Sequence, residues 1–154
     1  MAAAVGLALV TAGCSLFGSD DRGQEIDVVT VEVGDCLRAP EKSQAQIVTV
    51  RKVDCKEPHE HEVYATEPFA GVDGATPGGY PGDAALTAFA QARCLEEFEG
   101  YVGVDYRDSS LFFTWLLPSP RGWEGEGKHR DRSVVCLVTG TGEPRTGSVR
   151  QTGL

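Results

Sequence analysis

Hydrophobic residues recur along this chain in short runs, with one longer run of a different period. Ile26 to Val33 alternates and is rich in valine, the period-two pattern of a strand. Gly34 and Asp35 then predict a turn into Cys36-Leu37. Ile47 to Val53 predicts a second strand, with Ile47, Val48, Val50 and Val53 forming a mostly buried run. Glu62 to Thr66 predicts a third, behind a turn at Pro58-His59. Between Pro68 and Gly82, glycine and proline dominate and periodicity is lost, which predicts a loop.

The longer run follows. Asp83 stands just before Ala84-Ala85-Leu86, where its carboxylate can cap free backbone N–H groups at a helix start. Leu86, Phe89, Ala90, Cys94, Phe98 and Tyr101 fall on one face of a 3.6-residue period, and Gly100 or Gly103 can end the helix. Leu111 to Leu117 does not alternate cleanly and predicts a strand covered on both faces. Pro118 to Asp131 is a Gly- and charge-rich loop carrying Trp123. Ser133 to Thr139 predicts another buried strand, and Thr146 to Arg150 a short edge strand. No internal repeat is present in these patterns. The sum is an α+β fold: a single domain with an antiparallel or mixed sheet and one principal helix at about 83–100.

Length and charge narrow the class. At 154 residues the chain suits one domain with a real core. Its formal charge of −9 argues against nucleic acid as a partner, because neutralising phosphates needs a Lys/Arg surplus. The same charge argues against electrostatic adhesion to anionic lipid.

The N-terminus offers another route to a membrane. Ala2 to Ala12 is apolar and small, and too short for a spanning helix, which needs about 20 apolar residues. It reads as the apolar core of a secretory signal over residues 1–13. Thr11-Ala12-Gly13-Cys14 resembles a bacterial lipobox, which predicts lipid on Cys14. Thr11 stands where Leu or Val is usual, and no Lys or Arg precedes the apolar run; a start codon assigned too late would explain the missing charge and the shortness of the run. Residues 14–25, rich in Gly, Ser and Asp, predict a flexible tether. Residues 26–150 are then the folded domain.

Four cysteines remain downstream: Cys36, Cys55, Cys94 and Cys136. An even number in an exported domain predicts two disulfides. Three pairings are possible. Cys36–Cys55 with Cys94–Cys136 is preferred, since the first would tie neighbouring strands and the second would pin the helix to a late strand. A zinc site built on cysteines is disfavoured, because paired ligands stand close in sequence and the nearest two here are about twenty positions apart.

Candidate chemistry centres on Cys55-Lys56-Glu57-Pro58-His59-Glu60-His61-Glu62. On a strand His59 and His61 face the same way, and with Glu60 or Glu62 they could hold a transition metal. The alternative, which we favour, is a turn: Pro58 begins it, His59 bonds a backbone group and His61 is solvated. The expectation is therefore no metal and no cofactor. A Gly-x-Ser-x-Gly elbow is absent, Ser109-Ser110 has no recognisable partner, and acidic residues are too many to single out a catalytic pair. Trp123 in its polar loop could stack on a sugar or a protein. The loop's basic residues Arg121, Lys128, His129, Arg130 and Arg132 could meet an anionic polymer, or Trp123 could simply fold back on the sheet.

A series of motifs runs along the chain: Val33-Gly34-Asp35-Cys36-Leu37, then Cys55-x-x-Pro58-His59-x-x-Glu62-Val63, then Tyr80-Pro81-Gly82, Cys94 and Tyr101-Val102-Gly103. Pro118, Trp123, Asp131-Arg132-x-Val134-x-Cys136-Leu137 and Thr146-Gly147-Ser148-x-Arg150 complete the series. In this order the motifs resemble the actinobacterial septum-formation domain family. The resemblance implies an envelope protein, often lipid- or membrane-anchored, with no known catalytic activity. His61 and the insert at Glu124 to Gly127 depart from the pattern, and no role for them can be carried over. The expected function is a non-enzymatic lipoprotein on the outer face of the cell membrane, binding or scaffolding in envelope growth or septum formation. Its expected partners are the membrane through lipid on Cys14, and an envelope or division protein or a wall polymer. Pro58, His59, Glu62, Trp123, Arg130 and Arg132 are the candidate binding residues. The rival is a wall-acting or metal-dependent hydrolase.

Overall fold

The computed structural model describes residues 23–40 and 47–154. Among the described residues six strands form one sheet: β1 (Gln24–Asp27), β2 (Cys36–Arg38), β3 (Thr49–Val53), β4 (His61–Pro68), β5 (Phe112–Leu116) and β6 (Ser133–Thr139). Their spatial order is β1-β3-β2-β4-β6-β5, and every neighbouring pair is antiparallel. β6 lies between β4 and β5, hydrogen-bonded along both edges, and its residues Val134 to Val138 are buried on both faces, which suits its run of Val, Cys and Leu. Alternation divides it: Val134, Cys136 and Val138 join the main core, while Val135 and Leu137 join a second cluster on the opposite face.

The main core is formed with α1 (Asp83–Val102). Its buried residues Leu86, Ala90, Cys94 and Phe98 recur every four positions and continue at Tyr101 and Val102, so a single stripe meets the sheet. Gly103 ends it in the left-handed conformation at φ 90°, which a residue without Cβ adopts freely. Cys94 is bonded to Cys136, fixing the middle of α1 to β6. Cys36 is bonded to Cys55, fixing β2 to the turn after β3. The preferred pairing is thus the one formed.

Several expectations need correction. Ile26 to Val33 is a strand only to Asp27; the Asp27 side chain accepts from Val29 N–H and turns Val28–Thr30 into a 3-10 turn. β1 begins at Gln24, so the last residues assigned to a tether lie in the sheet. The turn at Gly34-Asp35 leads, as expected, into Cys36–Arg38, which is a short strand. β5 is an edge strand and is not fully covered: Phe112 is 44% exposed and Phe113 to Leu116 are only partly buried. Asp83 is the first helical residue, not the cap; Gly82 takes that position, and Asp83 accepts instead from the Tyr80 hydroxyl. Residues Thr146 to Arg150 form no strand, because Glu62 takes the backbone N–H of Val149 that a ladder would need. The signal segment 1–13 and Cys14 lie outside the described residues. Among the described residues, no helix is long and apolar enough to cross a membrane.

Candidate functional site

The motif around Cys55 folds into a buried node beneath the end of α1. Gly34, at φ 100°, lets the chain double back so that its N–H donates to Val63 O at 2.8 Å and Asp35 O accepts from Val63 N–H at 2.8 Å. This sets β2 beside β4, with Cys36 opposite Glu62. Glu62 is only 1% exposed, yet it is well satisfied. It accepts from the Tyr101 hydroxyl at 2.5 Å, from Val149 N–H at 2.8 Å and from the Ser148 hydroxyl. Burial, then this carboxylate, push the Tyr101 phenol well above its ordinary range. His59 is fully buried and pairs its backbone with Arg145 in both directions at 2.9 Å. Its Nδ1 is 2.8 Å from Glu57 O, while Nε2 is buried with no partner among the described residues.

His59 and Glu62 therefore stand together, as the motif suggested, but inside the protein. The expected bond from His59 to a backbone group is present. Pro58 is exposed, and its carbonyl accepts from Arg38 Nε at 3.2 Å. His61, expected in solvent, is half-buried with Nδ1 enclosed and unpaired among the described residues. Burial holds its imidazole below the ordinary histidine range; Glu60 opposes that shift and His59 adds to it.

Trp123 and Arg132 form a separate group. Trp123 is fully buried with Phe69 and Leu86, so it cannot stack on a ligand. It sits in α2 (Pro120–Trp123), a short turn capped by Ser119. The Arg132 guanidinium lies over its ring at 5.1 Å and donates to the carbonyls of Trp123 and Gly78. Arg130 donates to Gly125 O at 2.9 Å. These residues hold their own loop. Leu86, beside Trp123, and Tyr101, beside Glu62, are fifteen positions apart on α1, or about 22 Å at 1.5 Å per residue. The six candidate residues therefore do not form one surface.

The sheet face opposite α1 carries a different feature. A groove of about 700 Å³ runs across it, with lining residues from all six strands: Glu25, Leu37, Val50, His61, Thr114 and Leu137 among them. Five ladder steps of about 4.8 Å give the face a width near 24 Å. Leu37, Val50, Leu116 and Leu137 form an apolar floor. Arg38, Arg51, Glu60 and His61 add charge and hydrogen-bonding groups. Glu60 is held by Ala39 N–H at 2.8 Å and Glu25 by the Thr49 hydroxyl at 3.0 Å. Sequence reading missed this groove because β5 was taken as fully covered. The available signal was the imperfect alternation of Leu111 to Leu117.

Two curated relatives, from Mycobacterium tuberculosis and Mycobacterium bovis, carry the name "Putative lipoprotein LppN". Each is 28% identical over 123 residues, covering 80% of this chain and 64% of the relative. The chain thus spans a little under two thirds of the length of the relatives it matches. No solved structure matches it. The family model described as "Septum formation" matches residues 33–153, from the turn before β2 to the segment that closes over Glu62. The chain belongs to the septum-formation family.

Proposed function

We propose that this domain is a non-enzymatic binding module of the bacterial envelope, carried on the outer face of the cell membrane by lipid on Cys14, and that it acts in envelope growth or septum formation. Membership of the septum-formation family and relatives named as lipoproteins support the address. The observation that carries the binding role is the groove, which crosses all six strands and combines an apolar floor with charged groups. A site of that length suits an extended partner, such as a peptide segment of an envelope protein or a strand of wall polymer. The hydrolase alternative would need reactive groups within reach of substrate. His59 and Glu62 are 0% and 1% exposed, which weighs against it.

The test uses the full chain in a host that makes envelope lipoproteins. A photo-crosslinking residue at Thr114, which lines the groove, is expected to trap one discrete partner; the same residue at Lys128, in the loop beyond α2, is not. Thr114→Trp, which obstructs the groove at its β5 end, is expected to reduce trapping by a probe at Arg51 without lowering the melting temperature. Equal trapping from both faces, or unchanged trapping in the obstructed variant, would refute the groove. Intact mass of the mature protein reads the lipid on Cys14 directly.

A further inference from the structure

His59 holds a lone pair that nothing uses. Its Nδ1 faces the Glu57 carbonyl at 2.8 Å. A carbonyl oxygen only accepts, so in the neutral ring Nδ1 carries the proton and Nε2 is the bare nitrogen. Nε2 is buried without a donor among the described residues. Metal-binding imidazoles are commonly held this way, one nitrogen fixed by a carbonyl and the other presented.

Two further donors surround it. One atom each from Cys36, His59 and Glu62 lies within 4.8 Å of the others, and all three residues are buried. Glu62 accepts three hydrogen bonds, and a carboxylate offers about four sites, so one remains. Cys55 Sγ is joined to Cys36 Sγ by the disulfide itself. In the oxidised protein these sulfurs are weak ligands. Opened, they would become two thiols beside an unpaired imidazole.

We propose that reduction of Cys36–Cys55 creates a closed zinc site formed by Cys36, Cys55, His59 and Glu62. A dithiol supplies two electrons and two protons, breaking the S–S bond and leaving two cysteine thiols; the dithiol becomes a disulfide. Zn²⁺ then displaces both thiol protons to solvent and takes two thiolates, the free His59 nitrogen and the remaining Glu62 site. Two sulfurs, an imidazole and a carboxylate are donors zinc prefers. With bonds of about 2.0 and 2.3 Å, tetrahedral donors stand roughly 3.3–3.8 Å apart. The Cys36, His59 and Glu62 atoms, now within 4.8 Å of one another, must therefore draw together by up to about 1.5 Å, and Cys55 Sγ, which lies outside that cluster, must swing in once the bridge opens. The turn that carries Cys55 joins β3 to β4 and can supply that movement. Cys55 is half-buried and open to a reductant, whereas Cys94 and Cys136 are fully buried. The helix thus stays pinned while the site opens. All four positions are filled by protein, so the metal would be structural or sensory and would have no place for substrate. This inference is independent of the groove.

The test is cobalt titration of the full chain under nitrogen. A dithiol is used to open the protein, alkylation and mass analysis verify that only Cys36 and Cys55 are free, and the reductant is removed by gel filtration. One Co²⁺ per chain is expected, with a thiolate-to-cobalt charge-transfer band and tetrahedral absorption that zinc abolishes. The oxidised chain should show neither. His59→Asn keeps a donor for the Glu57 carbonyl and is expected to weaken binding at least tenfold. Absence of cobalt binding by the reduced chain, equal binding by His59→Asn, or equal binding by the oxidised chain would overturn the proposal. Should that variant not fold, the wild type decides by proton NMR: His59 ring protons shifted by bound cobalt support the site, and unshifted ones refute it.

Discussion

The Tyr101 hydroxyl donates to Glu62 at 2.5 Å, joining the last turn of α1 to the longest strand of the sheet. The same carboxylate takes Val149 N–H and the Ser148 hydroxyl, so helix, strand and C-terminal segment meet at one charge. A hydrogen bond to a buried charge contributes roughly 1.5–3 kcal/mol. Tyr101→Phe is expected to lower stability by about 2 kcal/mol in urea unfolding. Glu62→Gln presents an amide N–H to donors and should lose about 3 kcal/mol or more. The double variant should lose less than the sum, because both act on one network. Strict additivity would show that the two do not interact.

The two disulfides should differ in both accessibility and effect. Mild reductant should open Cys36–Cys55 first, as Cys55 is the least buried of the four cysteines. Timed alkylation with peptide mapping reads the order. The loops closed are 19 and 42 residues in sequence separation. Chain entropy then assigns about 3 kcal/mol to the first bridge and about 4 kcal/mol to the second. Replacing Cys94 and Cys136 together by alanine should therefore destabilise more than replacing the other pair.

Acid should weaken the fold through His61. Burial depresses its pKa, so the unfolded chain binds more protons near and below pH 6.5. Stability should fall as pH drops from about 6.5 towards the depressed folded value, then cease to change on its account. His61→Gln removes this contribution. Urea midpoints measured across pH 7 to 5 should slope for the wild type and slope less for the variant. Identical slopes would show that His61 does not titrate with unfolding.

Arg132 should act as a clamp on the loop around Trp123. It covers the ring and donates to two carbonyls. Arg132→Ala is expected to cost about 1–2 kcal/mol, combining a partly desolvated cation–π contact with lost hydrogen bonds. Trp123 emission should move to longer wavelength as water reaches the indole. Arg132→Lys should restore little, since an ammonium cannot span ring and carbonyls as a planar guanidinium does.

Legibility followed the range of the interactions. α1 was readable because its stripe from Leu86 to Tyr101 is a local pattern, and β6 because burial on both faces leaves a continuous apolar run. The pairing of the cysteines was a preference among three possibilities, and it is the one the fold forms. Edge status is different. It depends on which strands lie next to each other, and Leu111 to Leu117 carries the same residues whether β5 is central or terminal. The strand expected at Thr146 to Arg150 failed for a related reason. Its valine and threonine suit a ladder, but a carboxylate from 87 positions earlier claims the backbone. His59 and Glu62 were both among the candidate binding residues; that they face inward was fixed by Gly34 and the return of β2.

β1 starts at Gln24, ten positions beyond Cys14. A fully extended chain gains at most about 3.6 Å per residue, so ten residues reach about 36 Å. A lipid on Cys14 would therefore keep this edge of the sheet within that distance of the bilayer. Anything the groove holds would lie within about 60 Å of the membrane, the reach of those ten residues plus the width of the sheet, and a wall strand farther out would lie beyond its grasp.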